Sequence, residues 1–496
     1  MNIVIKRILF FGALMVGFTA CSEFLDVNED LNNPSSSAPG NLLPAVLGNS
    51  ATLTYNAGEM SAYYTQQLAT QSGVDRTRDR WDYSQETRVG IFRHHYFDVA
   101  GNANNLILEA AEDELAVNYL GVGKVMMAYA FLTTTDVLGD MPYTEAFTGK
   151  DSPKYDTQDV VYAGIGTLLD EGIQHLQAAI DLGNAVRPMT FTNDPVYGGD
   201  LSSWKSFAHG LKARFLIHQT NEGVDLNAVI EQVDLALQNW ETPVFNFTGE
   251  DDWTRNPWGP QQGRPLLYSM RANALSSSAP ATFFMSYLRD EADSLDPRVS
   301  KHFSPNESGE FIAVESGIGR GATPADEVAG LLDMAITKDD SPIEYMTEAE
   351  LHFIKAEASF PASKESAYNS YIDGIISDME RLEVSSSEIN EYLDNPEFVV
   401  QSADKITLSD IIIQKLIAMY LQPEAWVDMR RHNWSTEIYP GLTRPSNVID
   451  AFGEDQWIAR IPYNMETEYI YNLPEIERLG AKDPAFLAKK LWWMKN

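Results

Sequence analysis

Behind Thr347 the apolar positions fall into a stripe. Leu351, Ile354 and Ala358 recur at three- and four-residue spacing, the period that gives a helix one buried face. The start of this stripe, Thr347-Glu348-Ala349-Glu350, reads as a capping box, in which hydroxyl and carboxylate each accept the other residue's amide. Phe360-Pro361 ends the helix, because proline has no amide to continue it. A second stripe, Ala367, Tyr371, Ile375 and Met379, predicts a helix from about Lys364 to Arg381. Two helices around so short a break make a hairpin.

The arrangement recurs. Asn102–Tyr119 leads into Gly123–Leu138, Gln158–Ile180 into Ser203–Gln219 across a polar, Gly-rich break, and Thr407–Leu421 into Glu424–Arg431 across Pro423. These pairs predict a mostly α fold, a tetratricopeptide-like scaffold of helical hairpins without a strict sequence period. Between Thr242 and Asn273 the pattern lapses into Trp-, Pro- and Gly-rich sequence. Long irregular loops are expected there, and loops are where recognition belongs.

The first twenty residues follow a different rule. Lys6 and Arg7 precede the apolar run Ile8–Phe18, and small Thr19-Ala20 follow it, the layout of a secretory signal peptide. As a helix the run would cover about 16 Å, roughly half of a bilayer's hydrocarbon core. Cys21, the only cysteine among 496 residues, stands directly behind it. A plain signal peptide needs no cysteine there. A bacterial lipoprotein does, since its thiol carries a diacylglycerol and its freed amine a further acyl chain. The stretch resembles such a lipobox, with Phe18 where Leu is usual, and two or three acyl chains anchor a protein firmly. The expected organisation is a signal peptide over 1–20, a lipidated N-terminus and flexible tether over 21–40, and one helical binding domain over 41–496.

Charge narrows the partners. Against 71 acidic residues stand 36 basic ones, a net charge of −35. Such a surface repels phosphate backbones and excludes nucleic acid as a partner, and it leaves membrane attachment to lipid. Asp26–Asn32 imitates the start of a calcium loop, but Leu31 and Ser37 stand where that loop needs Gly and Glu.

Catalytic signals are thin. The sequence has no G-x-S-x-G, GxxxxGK[ST] or H-E-x-x-H, and nothing in it calls for a cofactor. Ser202–Lys205 matches S-x-x-K without its companion motifs and reads as a helix start. His352 has Glu348 one turn back, a surface helix pair rather than a zinc site. Among 71 carboxylates some pair always meets the spacing of glycoside hydrolysis, so acidity argues for no hydrolase.

Recognition-type side chains gather in two places. Asp251–Arg264 holds Trp253, Arg255, Asn256, Trp258, Gln261, Gln262 and Arg264. Trp rings suit the flat C–H faces of sugars, and Arg, Asn and Gln reach paired hydroxyls; a peptide would suit them as well. Equally, the rings would serve to pin a long loop onto the helices. Asp75–Tyr83 offers Arg76, Arg78, Arg80, Trp81 and Tyr83, either as a second binding cluster or as a charged loop with one anchoring Trp.

Five segments taken together resemble the SusD/RagB family of surface nutrient-binding lipoproteins, over essentially the whole mature length. They are Cys21 with FLDVNEDLNNP close behind; TDVLGDMPYTEAF at Thr135–Phe147; LDPR at Leu295–Arg298; MTEAELHFIKAEA at Met346–Ala358; and QKLIAMYLQPEAWVDMRR at Gln414–Arg431 with RIPYNMETEYIYN at Arg460–Asn472. After Arg431 the family's Thr-Gly-Tyr-Pro is replaced by His432-Asn433-Trp434-Ser435. The resemblance implies an outer-membrane position facing the medium and capture of an oligosaccharide or peptide without chemistry. It also implies a SusC-like TonB-dependent transporter, over which the protein sits as a hinged lid, within a polysaccharide-utilisation system. The shared motifs are expected to serve packing: Asp136, Gly139 and Asp140 at a helix end, Glu424, Trp426 and Arg430 among the late helices. The alternatives are an exported glycan-active enzyme and a protein-binding adhesion or scaffold lipoprotein.

Overall fold

The computed structural model describes residues 37–73, 77–82, 90–251, 254–260 and 274–494. Cys21, the expected signal peptide and most of the tether lie outside them. Proline at its first position starts α1 (Pro39–Tyr64), a helix of 26 residues. From Ser50 to Tyr64 every residue of α1 is buried, so it is a central spine rather than a surface helix. The hydroxyls of Ser50 and Thr54 donate back to the carbonyls of Val46 and Ser50, which is how polar residues survive in such a place.

Helices pack around this spine as hairpins. After β1 (Leu68–Thr70), a short helix and a π turn at His94–Val99 lead into α2 (Ala100–Ala111). There follow α3 (Val117–Leu138), α4 (Gln158–Leu182), α5 (Leu201–Ile217) and α6 (Leu226–Leu237). Beyond β2 (Val244–Phe245), β3 (Ser278–Pro280) and β4 (Ile343–Glu344) come α7 (Glu348–Ser359), α8 (Lys364–Arg381) and α9 (Ser386–Leu393). The last helices used below are α10 (Leu408–Ala418), α11 (Glu424–Arg431) and α12 (Leu473–Leu479). Consecutive helices from α2 to α6, and α7 with α8, pack as neighbours. The four strands form two antiparallel pairs, β1 with β3 (Leu68 opposite Pro280) and β2 with β4 (Val244 opposite Glu344). The expected mostly α scaffold of tetratricopeptide-like hairpins is the observed one.

Two local expectations change. Asn102–Tyr119 is not one helix: α2 ends at Ala111, and Asp113, whose carboxylate accepts the Leu115 amide, opens a turn before α3. Gly121 and Gly123 lie inside α3 rather than at a break. A Cβ on Gly121 would stand 2.9 Å from Leu176, and one on Gly123 3.1 Å from Ile107, so these glycines let the neighbouring helices approach. At α7, Thr347 does accept the Glu350 amide. The Glu350 carboxylate does not return the bond; it makes a bidentate pair with Arg214, both contacts at 2.6 Å. Reciprocal capping boxes occur instead at Ser385/Glu388 and Thr407/Asp410.

That Arg214–Glu350 pair belongs to a larger buried network. One oxygen of Asp136 accepts from the Tyr162 hydroxyl (2.5 Å) and the Trp493 indole (2.8 Å); the other lies 3.1 Å from His218 Nδ1. His218 Nε2 is 2.8 Å from Glu424, whose other oxygen is 3.7 Å from Arg214. Arg430 lies over the Trp426 ring at 3.7 Å and donates to the carbonyls of Asp136 and Ala459.

The motifs that carry the resemblance sit in these joints. Asp140, beyond the end of α3, accepts the Gln158 amide that opens α4. The backbone of Ile461 pairs with Val137, and Arg460 donates to the carbonyls of Lys489 and Lys490. LDPR builds a second knot: fully buried Arg298 is bonded to Asp296, Asp378, Tyr392 and Gln414. Packing is what these residues do, as expected.

Stability should carry the signature of His218. Burial opposes its charge, but Glu424 and Asp136 outweigh burial and raise its pKa from 6.5 to about 9. Its contribution is therefore complete below pH 6.5 and is lost as pH rises through about 9. Glu424 works in the opposite direction. Burial would raise its pKa, but His218 and Arg214 hold it at about 2, so its contribution is present above 4.5 and is lost only as pH falls through about 2. Urea unfolding midpoints should fall between pH 6.5 and 9 in the wild type. In His218→Gln the midpoint should be lower throughout, and that alkaline fall shallower.

Candidate ligand-binding site

The two recognition clusters are about 170 residues apart in sequence, yet both rest on the last three turns of α1. From the first cluster, the Trp258 ring packs edge-on against Tyr55, with centroids 4.6 Å apart, and lies over Gly58. From the second, Arg78 makes a 2.6 Å ion pair with Glu59, the next residue along α1. The β1–β3 pair closes the same end, where the Tyr63 hydroxyl meets Ser278 at 2.5 Å.

The second cluster is a knot more than a charged loop. Asp79 accepts from the amide and hydroxyl of Thr70 and from the amide of Gly317. Arg80 donates to the carbonyls of Gly317 and Gly73. Trp81 has no exposed surface: it packs on Phe452 and Trp457, with the Arg444 guanidinium 5.2 Å above its ring. In the first cluster Asn256 is buried, its amide bonded to the Asp339 carbonyl and its side chain to the Ile336 carbonyl and the Trp258 amide. Arg255 is half-buried, 3.8 Å from Asp339.

Arg80, Trp81, Asn256 and Trp258 thus face inward and hold the loops. A buried ring offers no face to a sugar, so the expectation of direct ligand contact is corrected for these four in favour of the anchoring alternative. Trp253, Gln261, Gln262, Arg264, Arg76 and Tyr83 lie outside the described residues. Arg255 alone among the described candidates keeps partial access to solvent.

Sequence reasoning missed the third wall of this rim. Gly317–Gly321, GIGRG, makes a turn whose backbone runs against the second cluster. Gly317 has φ +82°, and a Cβ there would stand 1.7 Å from the Ser446 carbonyl. The turn leaves Ile318 exposed, and Asn447 beside it donates to the Gly317 carbonyl. The signal was the density of glycine, which marks close backbone approach but does not say to what.

No group of three or more His, Cys, Asp or Glu side chains suited to a metal occurs among the described residues. One described helix, Glu114–Leu138, is long and apolar enough to cross a membrane, and most of it is buried in the core.

Comparison with known proteins gives a consistent result. The family model for SusD-like proteins, described as starch-binding and associating with the outer membrane, matches residues 31–463. No curated protein sequence matches significantly. Among solved structures, a SusD homologue from Bacteroides uniformis is similar with a TM-score of 0.72 at 18% identity, covering 93% of this chain and 100% of its own. A homologue from Parabacteroides distasonis has a TM-score of 0.72 at 19% identity, with coverages of 93% and 98%. A chitin-binding SusD homologue from Flavobacterium johnsoniae has a TM-score of 0.68 at 19% identity, with coverages of 92% and 97%.

The anchoring role has a direct readout. Truncating a buried Trp to Ala costs about 3–5 kcal/mol, so Trp81→Ala and Trp258→Ala should each lower the free energy of urea unfolding by that order. Replacing Arg255, which is half-buried beside Asp339, should lower it far less.

Proposed function

Because the chain belongs to the SusD-like family of starch-binding, outer-membrane-associating proteins, we propose that it captures a nutrient oligosaccharide at the cell surface and passes it to a SusC-like TonB-dependent transporter beneath. The observation that carries this reading is the convergence of both recognition clusters on adjacent residues, Gly58 and Glu59, at one end of the α1 spine. Buried anchors fix the loops there, and recognition is assigned to the remaining candidates of the two clusters: Trp253, Arg255, Gln261, Arg264 and Tyr83. A ring among guanidinium and amide groups suits a glycan's alternating C–H faces and hydroxyls. The chitin-binding relative favours a glycan over a peptide.

The protein works by capture and release, without turnover. Closing over the transporter traps ligand between two surfaces, so modest affinity is enough, and affinity must stay modest for release. Lipid on Cys21 holds the chain to the outer membrane, with residues 21–40 as a tether to a single domain that faces the medium.

Affinity electrophoresis against starch, chitin oligosaccharides and a peptide pool tests the reading. Trp253→Ala should weaken glycan retention about tenfold, the loss of one good stacking contact, with helical content and unfolding midpoint unchanged. Retention equal to wild type would remove that loop from the site, and product formation from any glycan would replace capture with catalysis. In the same strains Cys21→Ser should move the protein from the membrane to the soluble fraction.

A further inference from the structure

Just past α11, the segment that departs from the family pattern, His432-Asn433-Trp434-Ser435, turns through two consecutive left-handed residues, with φ +52° at Asn433 and +51° at Trp434. Left-handed backbone suits Asn, but for a side chain as bulky as Trp it is an outlier. Such a conformation persists only where the surrounding structure over-determines it. Here the Asn433 amide donates to the Arg430 carbonyl and the Trp434 amide to the Met429 carbonyl. The turn sets the Trp434 ring against Trp457, with centroids 5.4 Å apart and planes 17° from parallel.

From Trp457 the rings continue to Trp81. The Trp457 centroid is 5.5 Å from that of Trp81, Phe452 meets Trp81 edge-on at 5.4 Å, and the Arg444 guanidinium lies 5.2 Å from the same ring. Trp81, the ring of the second recognition cluster, is thereby sealed. Two of the groups that cover it keep access to solvent. Trp457 is half-buried, and among the described residues it makes ring contacts but no hydrogen bond. Arg444 is half-buried as well. It donates to the Glu454 carbonyl alone, and its Nε has no partner. A guanidinium has more donors than that to give, so most of its hydrogen-bonding capacity is unspent.

An indole with an unused N–H and a guanidinium with unused donors, both packed on one buried ring, suit a ligand rich in hydroxyl groups. The ring covers C–H surface, while the indole N–H and the guanidinium fork donate to hydroxyl oxygens. Charge narrows the class. The exposed carboxylates of Glu454 and Asp455 act on Arg444, and the whole chain carries −35, so a polyanionic glycan is repelled. A basic peptide would meet the guanidinium itself. We propose that Trp457 and Arg444 form a subsite for an uncharged oligosaccharide on the outer side of the second cluster. The subsite rests on the capture reading above and adds to it the ligand's charge class and two contact residues from the C-terminal part of the chain, where the ring of the second cluster itself has turned inward.

Affinity electrophoresis of the full chain tests it, with starch and glycol chitin as uncharged glycans, polygalacturonate as an acidic one, and a peptide pool as competitor. Trp457→Phe keeps a ring against Trp434 and removes the N–H. Arg444→Lys keeps the apolar stem and the charge and removes the fork. Each should weaken retention by the uncharged glycan about fivefold or more, the scale of a lost hydrogen bond, with urea unfolding midpoints at the wild-type value and no retention by polygalacturonate. Wild-type retention in both variants would overturn the subsite and leave capture standing. Retention by polygalacturonate, or competition by the peptides, that the two substitutions abolish would overturn the uncharged class. A loss of retention that appears only where the unfolding midpoint also falls would reduce both residues to packing and overturn the subsite. No retention of wild type by any glycan would overturn the subsite and the capture reading together.

Discussion

One buried carboxylate sets the terms for the rest of the chain. Asp136 sits at the end of α3 with almost no exposure, where an unpaired charge would cost several kcal/mol after relaxation. Its oxygens are instead met by Tyr162 from α4, Trp493 from the C-terminal segment and His218 from just past α5. His218 needs Glu424 of α11, Glu424 approaches Arg214 of α5, and Arg214 is satisfied by Glu350 of α7. Each group is tolerated only because the next is present, so the hairpins dock in one arrangement or leave a charge stranded. Apolar packing alone would hold the same helices together but would fix their mutual rotation less sharply.

Arg298 extends this logic to the irregular part of the chain. Residues between β3 and β4 have little regular backbone pairing of their own, so they must borrow order from the helices. LDPR supplies the loan: Asp296 orients Arg298, and Arg298 reaches Asp378 on α8, Gln414 on α10 and Tyr392 on α9. The GIGRG turn beside the second cluster belongs to the same stretch and is pinned at its far side by Asp79 and Arg80. The rim is thus placed from both directions by buried charge, and the spine α1 is the surface against which those placements are measured.

What the sequence disclosed follows the range of each interaction. Hairpin α7–α8 was legible because its apolar stripes are local and its ends are marked, by Thr347 at the start and Pro361 at the stop. The break expected between Tyr119 and Gly123 was misplaced because a glycine suited to close helix contact looks the same, in one sequence, as a glycine suited to a break. Glu350 misled because a local partner was available to it, the Thr347 amide, and a distant one won: a bidentate guanidinium is a stronger partner for a carboxylate than one neutral amide. The Trp-containing clusters were legible as clusters. Which of their rings would turn inward was not, because that depends on Tyr55 and Gly58 for one and on Phe452, Trp457 and Arg444 for the other, all remote in sequence. That the clusters meet at all is a property of the long-range fold, beyond reach of any local pattern.

The separation between anchoring and recognising side chains has a thermodynamic consequence. Breaking a buried pair by removing one partner costs about 3–5 kcal/mol, whereas a surface substitution away from such features stays within about 0.5 kcal/mol. A marginally stable domain tolerates few changes of the first kind and many of the second. Here the costly residues, Asp136, Arg214, Arg298 and Glu424, are almost wholly buried, and Trp81 and Trp258 are buried beneath the two clusters. Arg255, which keeps partial exposure beside Asp339, carries less of the fold's free energy than these buried groups. Solved structures that share this architecture at 18–20% identity are what such a division permits: a frame held by a few mutually dependent groups, on which most other positions change without unfolding what carries them.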